Sequence, residues 1–302
     1  MTHLLRRLPS RPLSHLTSSP TASATHQIRP HSSVSADELS HFSALASSWW
    51  DPMGPSRVLH LMNPLRHDFI ASCLADTYPR HTAEGQNPKP GLNYLDIGCG
   101  GGIFAESLAR TIPTSTKERK DGGEGYKTGT RAASITALDP SPTLIKIARD
   151  HARLDPVVEK HLADGRFRYL NCSVEEHLSQ LSSSSSPSST SPNSSEAPSD
   201  SKSEADPKKY DLITLFEVLE HIDPTTSSPL SFLTTCLRLL NPGGWLIGST
   251  IARSLPSFIV NQVIAEAPWP FGVVPRGTHE WGKFVNPDEL RGWAVEGLER
   301  AE

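Results

Sequence analysis

The sequence has no pair of cysteines at CxxC spacing, and its four cysteines, Cys73, Cys99, Cys172 and Cys236, are scattered along the chain. That leaves no disulfide framework to read and suits a reducing compartment. No window approaches the roughly 18 uninterrupted apolar residues that a membrane span requires. Nor is there an excess of positive charge: the formal net charge is -4, so composition gives no reason to expect a nucleic-acid partner. Acidic residues are themselves missing from one stretch, Met1 to Ala36, and the first is Asp37. Arg6, Arg7, Arg11 and Arg29 lie in that stretch among many Ser, Thr and Leu residues, the composition of a mitochondrial transit peptide. Pro9 and Pro12 interrupt the only apolar segment that a secretory signal would need. The competing reading is a basic tail with no address.

What is present is patterned. Asp37–Ser48 has helical spacing behind a capping Asp37, and Asn63–Tyr78 predicts a second helix opened by Pro64. Strand and helix patterns then alternate. Asn93–Ile97, Ser134–Leu138, Phe167–Asn171, Leu212–Phe216 and Trp245–Ser249 read as strands. Ile103–Thr111, Thr143–Arg153, Val174–Leu181, Pro229–Leu240 and Pro287–Ala301 read as helices. Strict alternation predicts an α/β fold, a mostly parallel sheet with helices on both faces. Two hydrophilic stretches interrupt it, near 114–130 and 182–209, and both read as disordered inserts within one domain, 37–302.

Leu95-Asp96-Ile97-Gly98-Cys99-Gly100-Gly101-Gly102 follows the first strand and opens a helix. Glycines let the chain turn sharply and let a ligand approach bare backbone. A dinucleotide fingerprint wants a third Gly where this chain has Ile103, so the run reads as GxGxG, a methyl-donor loop built on Gly98 and Gly100. Asp139 ends the second strand, where a carboxylate accepts ribose hydroxyls; its other reading is a turn residue before Pro140. Ser173 and Val174 follow the third strand, on the side expected for an adenine.

Several segments carry a resemblance. Trp49-Trp50-Asp51-Pro52, Leu59–Arg66 (LHLMNPLR), Phe216–His221 (FEVLEH), Asn241–Gly244 (NPGG) and Pro275–Phe284 (PRGTHEWGKF) occur here in one order. Together with the glycine loop they resemble the O-methyltransferases of ubiquinone biosynthesis, from about Leu39 to Trp293. The resemblance implies a Rossmann-like class I methyltransferase that uses S-adenosylmethionine. It implies Arg66, Gly98, Asp139 and Phe216 as cofactor contacts, with Phe216 standing where the family more often has Met. Its substrates would be polyprenylated dihydroxybenzoate and demethylubiquinol. It also implies peripheral contact with the matrix face of the inner mitochondrial membrane, within a multi-subunit biosynthetic complex. The fold normally ends in an antiparallel strand pair, which the pattern up to Glu302 does not supply; an open sheet edge is the expectation.

Methyl transfer from a sulfonium requires an oxygen placed in line with the methyl and stripped of its proton. Glu217, Glu220 and His221 fall at i, i+3 and i+4, which puts them on one face if a helix starts there. Two carboxylates and an imidazole suit Mg2+ or a similar divalent ion chelated by a catechol. The plainer reading is that they cap and pack. His279 is the candidate base outside the trio, with a structural histidine as the alternative. Pro256–Val274 is apolar, and reads either as core or as a surface that meets a membrane. Other function classes remain open at this point: an RNA 2′-O-methyltransferase, which would need a basic groove, or a non-catalytic subunit.

Overall fold

The computed structural model describes residues 33–77, 91–114, 129–184, 209–267, 277–278 and 280–301. Nearly all of the segment read as a transit peptide and of the two stretches read as inserts lies outside them, as do His279, Trp269 and Phe271.

Five strands form one sheet: β1 (Leu92–Ile97), β2 (Ala132–Leu138), β3 (Phe167–Leu170), β4 (Tyr210–Phe216) and β5 (Leu240–Ser249). Every pairing is parallel, in the order β3-β2-β1-β4-β5. These strands are rich in Leu, Ile, Tyr and Ala because a parallel sheet covered on both sides buries both of their faces. Tyr94, Phe104, Leu108, Ile145 and Phe167 share one core cluster, while Leu95, Ile213, Leu215, Phe232 and Leu233 share the other. Helices α1 (Ala36–Leu45), α2 (Arg57–Thr77), α3 (Ile103–Ala109), α4 (Pro142–Ala152), α5 (Pro156–Ala163), α6 (Val174–Ser184), α7 (Pro229–Arg238) and α8 (Pro287–Ala301) complete the fold. The expected α/β architecture, built on a parallel sheet, is present.

Several boundaries differ from the expectation, each for a local reason. The cap of α1 is Ser35, whose hydroxyl accepts from the Glu38 amide at 3.2 Å; Asp37 lies inside the first turn. Helix α2 begins before Pro64, which sits in its interior. Helix α5 was not anticipated; Asp155 caps it and Pro156 opens it, a start signal legible in retrospect. Strand β5 begins at Leu240 and takes in the NPGG turn, with a register shift opposite Tyr210/Leu212 that Gly243 at φ +77 accommodates.

Chain order runs outward from β1 through β2 to β3, then returns to β4 and β5 on the other side. Ligands in such sheets bind in the crevice beyond the carboxyl ends of the strands at that reversal, here between β1 and β4.

Candidate active site

The loop after β1 is shaped by close approaches. Gly98 (φ +70) and Gly100 (φ +54) occupy left-handed backbone, and an added Cβ would meet Val218 Cγ2 at 2.7 Å or Trp49 Cζ2 at 2.7 Å. Only glycine fits both demands. The loop returns onto β2 through the amides of Gly98 and Cys99, which donate to the Leu138 carbonyl at 2.9 and 3.0 Å.

Two carboxylates flank this loop. Asp139 accepts from the Gly100 amide at 2.9 Å and from the Ser141 amide at 2.8 Å, so it braces the loop as well as lining the crevice. Burial pushes its carboxyl up to about 6, against those two amide hydrogen bonds. Asp96 accepts from the Thr214 hydroxyl at 2.7 Å on one oxygen, while Oδ2 is buried with no partner. Burial pushes this carboxyl up to about 7, opposed by Thr214 and by the charge of Arg66. A buried acceptor left unpaired at a ligand crevice costs free energy that a cationic ligand group recovers.

On the opposite wall, Arg66 of α2 lies over the rings of Phe216 and Phe104 at 4.9 and 5.8 Å and forms an ion pair with Glu217. Glu217 is one of two non-glycine residues with positive φ among the described residues, at φ +53, and its other oxygen accepts from Ser249 at 2.5 Å. A bulky residue held in that conformation stores strain of about 1–3 kcal/mol, which marks functional positions more often than others. Glu220 Oε2 accepts from Thr250 at 2.7 Å, whereas Oε1 is buried without a partner; burial raises this carboxyl.

His221 points toward the N-terminal helix. Its Nδ1 lies 3.3 Å from Glu38 Oε2, and Phe42 meets its ring edge-on at 4.9 Å. Lys283 donates to the other oxygen of Glu38 at 3.0 Å. Burial alone would raise the Glu38 carboxyl, but His221 and Lys283 outweigh it and hold it at about 2. Helix α1 is thereby strapped over the crevice.

The result is a cavity of about 490 Å3. Arg66, Gly98, Gly100, Asp139 and Phe216 of the expected cofactor set face it, and so do Glu217, Glu220 and His221. Thr278, immediately before His279, lines it as well. The reason expected for grouping the trio does not hold. Glu217 sits outside any helix and Leu219–His221 is a single 3-10 turn, so no helical face aligns the three. Each is engaged by another residue, and among the described residues no three His, Cys, Asp or Glu are grouped as a metal site. Ser173 and Val174 do not line the cavity; Ser173 and Glu176 instead form a reciprocal capping box at the start of α6. Sequence reasoning assigned no role to Asp96, Trp49 or Glu38. An acidic residue two positions before Gly98 was the available signal for Asp96; Trp49 and Glu38 reach the site only through tertiary packing.

The Pro256–Val274 segment is not core where it is described. Leu255, Phe258, Ile259, Val260, Val263 and Ile264 are exposed on a short helix and π-helical turn whose Asn261 and Ala265 line the cavity. Of the basic residues near this segment in sequence, Arg253 is paired with Glu289 and Lys283 with Glu38 and Glu280; Arg276 lies outside the described residues.

A family described as a methyltransferase domain matches residues 66–296. The chain is 36% identical over 270 residues to the mitochondrial ubiquinone biosynthesis O-methyltransferase of Schizosaccharomyces pombe, covering 89% of this chain and 74% of that protein. It is 33% identical to the ubiquinone biosynthesis O-methyltransferase of Dinoroseobacter shibae, covering 85% of this chain and 79% of that one. Among solved structures, the N-methyltransferase NodS of Bradyrhizobium japonicum in complex with S-adenosylhomocysteine is similar at TM-score 0.43 and 15% identity, covering 86% of this chain and 85% of that one.

Proposed function

This chain belongs to the ubiquinone biosynthesis O-methyltransferases and uses S-adenosylmethionine to methylate oxygen in that pathway; we propose that its substrates are polyprenylated dihydroxybenzoate and demethylubiquinol, and that it acts in the mitochondrion. The observation that carries the cofactor reading is the loop between Asp96 and Asp139, whose Gly98 and Gly100 line the cavity beside one buried acceptor, Asp96 Oδ2, that is unpaired. The donor set fits the cofactor. Asp96 would take its ammonium, Asp139 its ribose hydroxyls, and Arg66, released from Glu217, its carboxylate, while Phe216 offers an apolar face.

The residues on the far side of the cavity would orient a catechol and remove its proton. Glu220 is supported by a carboxyl that burial raises and by an oxygen with no partner. His279 follows the cavity residue Thr278 and is kept as the candidate base. The divalent cation is the finer part of the proposal. Glu217, Glu220 and His221 are the right donor types and line one cavity, which supports them as its holders; Arg66 and Glu38 hold two of them now. A bound Mg2+ would polarise the catechol oxygens and lower their pKa.

Membrane contact belongs to the same proposal. No helix among the described residues is long and apolar enough to cross a membrane. The exposed side chains of Leu255, Phe258, Val260 and Ile264 stand beside the cavity, and a polyprenyl tail partitions into lipid. Since Arg253 and Lys283 are already paired, docking rests on apolar insertion more than on charge. The matrix side of the inner membrane and a multi-subunit biosynthetic assembly complete the proposal on family resemblance alone.

The test is complementation. In a strain lacking its own ubiquinone O-methyltransferase, this chain should restore ubiquinone and clear the demethylated intermediates, as read by mass spectrometry. Persistence of those intermediates with the protein expressed would overturn the substrate assignment.

A further inference from the structure

Beside the cavity, but not lining it, a second set of residues closes a ring around the cofactor loop. Trp50 Nε1 donates to the Gly101 carbonyl at 2.9 Å. Its ring stacks on His151 of α4 with centroids 3.4 Å apart and planes within 4°, and His60 of α2 meets it edge-on at 5.2 Å. His151 Nδ1 lies 2.7 Å from Glu106 Oε2. Glu106 is fully buried in α3, the helix that the loop opens, and its other oxygen is paired with Arg110, which also donates to Asp155 at 2.7 Å.

The path thus runs from α3, through Glu106 and His151 of α4, to Trp50 and back to the Gly101 carbonyl. A fully buried carboxylate is an expensive way to pack a helix, because its desolvation must be offset by good partners. An apolar residue would fill the space at lower cost. What the ionic arrangement adds is direction: it fixes the His151 ring, the ring fixes the plane of Trp50, and the indole N–H then has one aim. The peptide it holds lies between Gly100, which lines the cavity at φ +54, and Gly102, whose amide donates to the Cys99 carbonyl at 2.9 Å. The neighbouring Trp49 covers Gly100 and Gly101 and does line the cavity.

We propose that Trp50 is a positioning residue, oriented by His151 and Glu106, that sets the Gly98–Gly102 loop for the methyl donor and so governs cofactor affinity without touching the cofactor. The proposal rests on the reading of that loop as the S-adenosylmethionine site. It predicts a separation of constants. Interactions that preorganise a binding loop appear in affinity, whereas those made only to the transition state appear in turnover.

The experiment titrates the full chain with S-adenosylhomocysteine by calorimetry and measures KM and kcat for the methyl donor. Trp50→Phe keeps an aromatic ring on His151 but removes the N–H; His151→Gln keeps a donor for Glu106 but removes the stack. Each should weaken cofactor affinity about 5- to 20-fold, by loss of one directed hydrogen bond or its aim. In each, kcat at saturating donor should stay within about twofold of wild type. The double variant should be no weaker than the weaker single one, since both act through one contact. Wild-type affinity in Trp50→Phe overturns the proposal, whatever happens to the melting temperature. So does a fall in kcat with KM unchanged. Should His151→Gln fail to fold, Trp50→Phe alone decides. Failure of the wild-type chain to bind the probe would overturn the cofactor reading itself, and is seen before any variant is made.

Discussion

At the scale of single residues, the Asp96 carboxyl makes the sharpest prediction. Burial raises it to about 7, and a ligand ammonium placed at Oδ2 would favour the ionised form. Cofactor binding must then release a proton below about pH 7, and affinity must climb from pH 5 toward 7 and level off above. Calorimetry in buffers of different ionisation enthalpy reads that release. Asp96→Asn should flatten the pH profile and weaken binding by roughly 1.5–3 kcal/mol, the range for hydrogen bonds to charged groups. A wild-type affinity independent of pH across that window would place the ammonium elsewhere.

Glu220 offers a second residue-level test. Excess EDTA should abolish methyl transfer, Mg2+ should restore it, and Glu220→Gln should mimic chelation while leaving cofactor affinity near wild type. Full turnover in EDTA would return Glu217, Glu220 and His221 to the packing roles in which the structure shows them. The sequence placed these three at one cavity but for the wrong reason. Their spacing suggested a helical face, whereas the left-handed Glu217 and a single 3-10 turn bring them together. Spacing encodes only regular geometry, and this turn is irregular.

At the scale of elements, α1 contributes no fully buried residue; Phe42 and Leu45 pack against the cluster around Trp49, and Glu38 ties the helix to His221 and Lys283. Because His221 and Lys283 lower the Glu38 carboxyl from its usual value near 4.5 to about 2, the strap stabilises the fold above about pH 4.5 and loses its contribution as pH falls toward 2. Glu38→Gln should therefore lower the melting temperature at pH 7 by clearly more than at pH 2.5. Proteolysis of the N-terminal segment should quicken in the variant at neutral pH. Equal melting temperatures at pH 7 would show that α1 needs no strap. Elements whose signal is periodic burial were legible in advance, as with β1, β4 and α4. Strand β5 was legible only in part, since NPGG reads as a turn, and the bulge that admits it to the sheet depends on its neighbour β4. The strap was not legible, because nothing in sequence pairs residue 38 with residues 221 and 283.

At the scale of the whole molecule, the cavity opens beside the exposed apolar side chains of the 255–264 segment, and the structure removes the alternative that this described portion fills the core. Wild type should co-sediment with cardiolipin-containing liposomes. Val263→Asp and Ile264→Asp should lose binding with an unchanged melting temperature, since both positions are already exposed. Each buried CH2 contributes about 0.8 kcal/mol, so a few inserted side chains suffice for reversible docking. Wild-type protein left in the supernatant would contradict the docking claim while leaving the chemistry intact.

The chemistry itself is tested most directly by methyl transfer in a defined mixture. Purified chain, S-adenosylmethionine carrying a labelled methyl group, Mg2+ and a prenylated catechol in detergent are incubated, and the product is fragmented by mass spectrometry. The account predicts one labelled methyl on a ring oxygen, no label on the ring carbons, and loss of the reaction in Asp139→Ala through weakened cofactor binding. A chain that binds S-adenosylmethionine yet leaves the catechol oxygens unlabelled would contradict it.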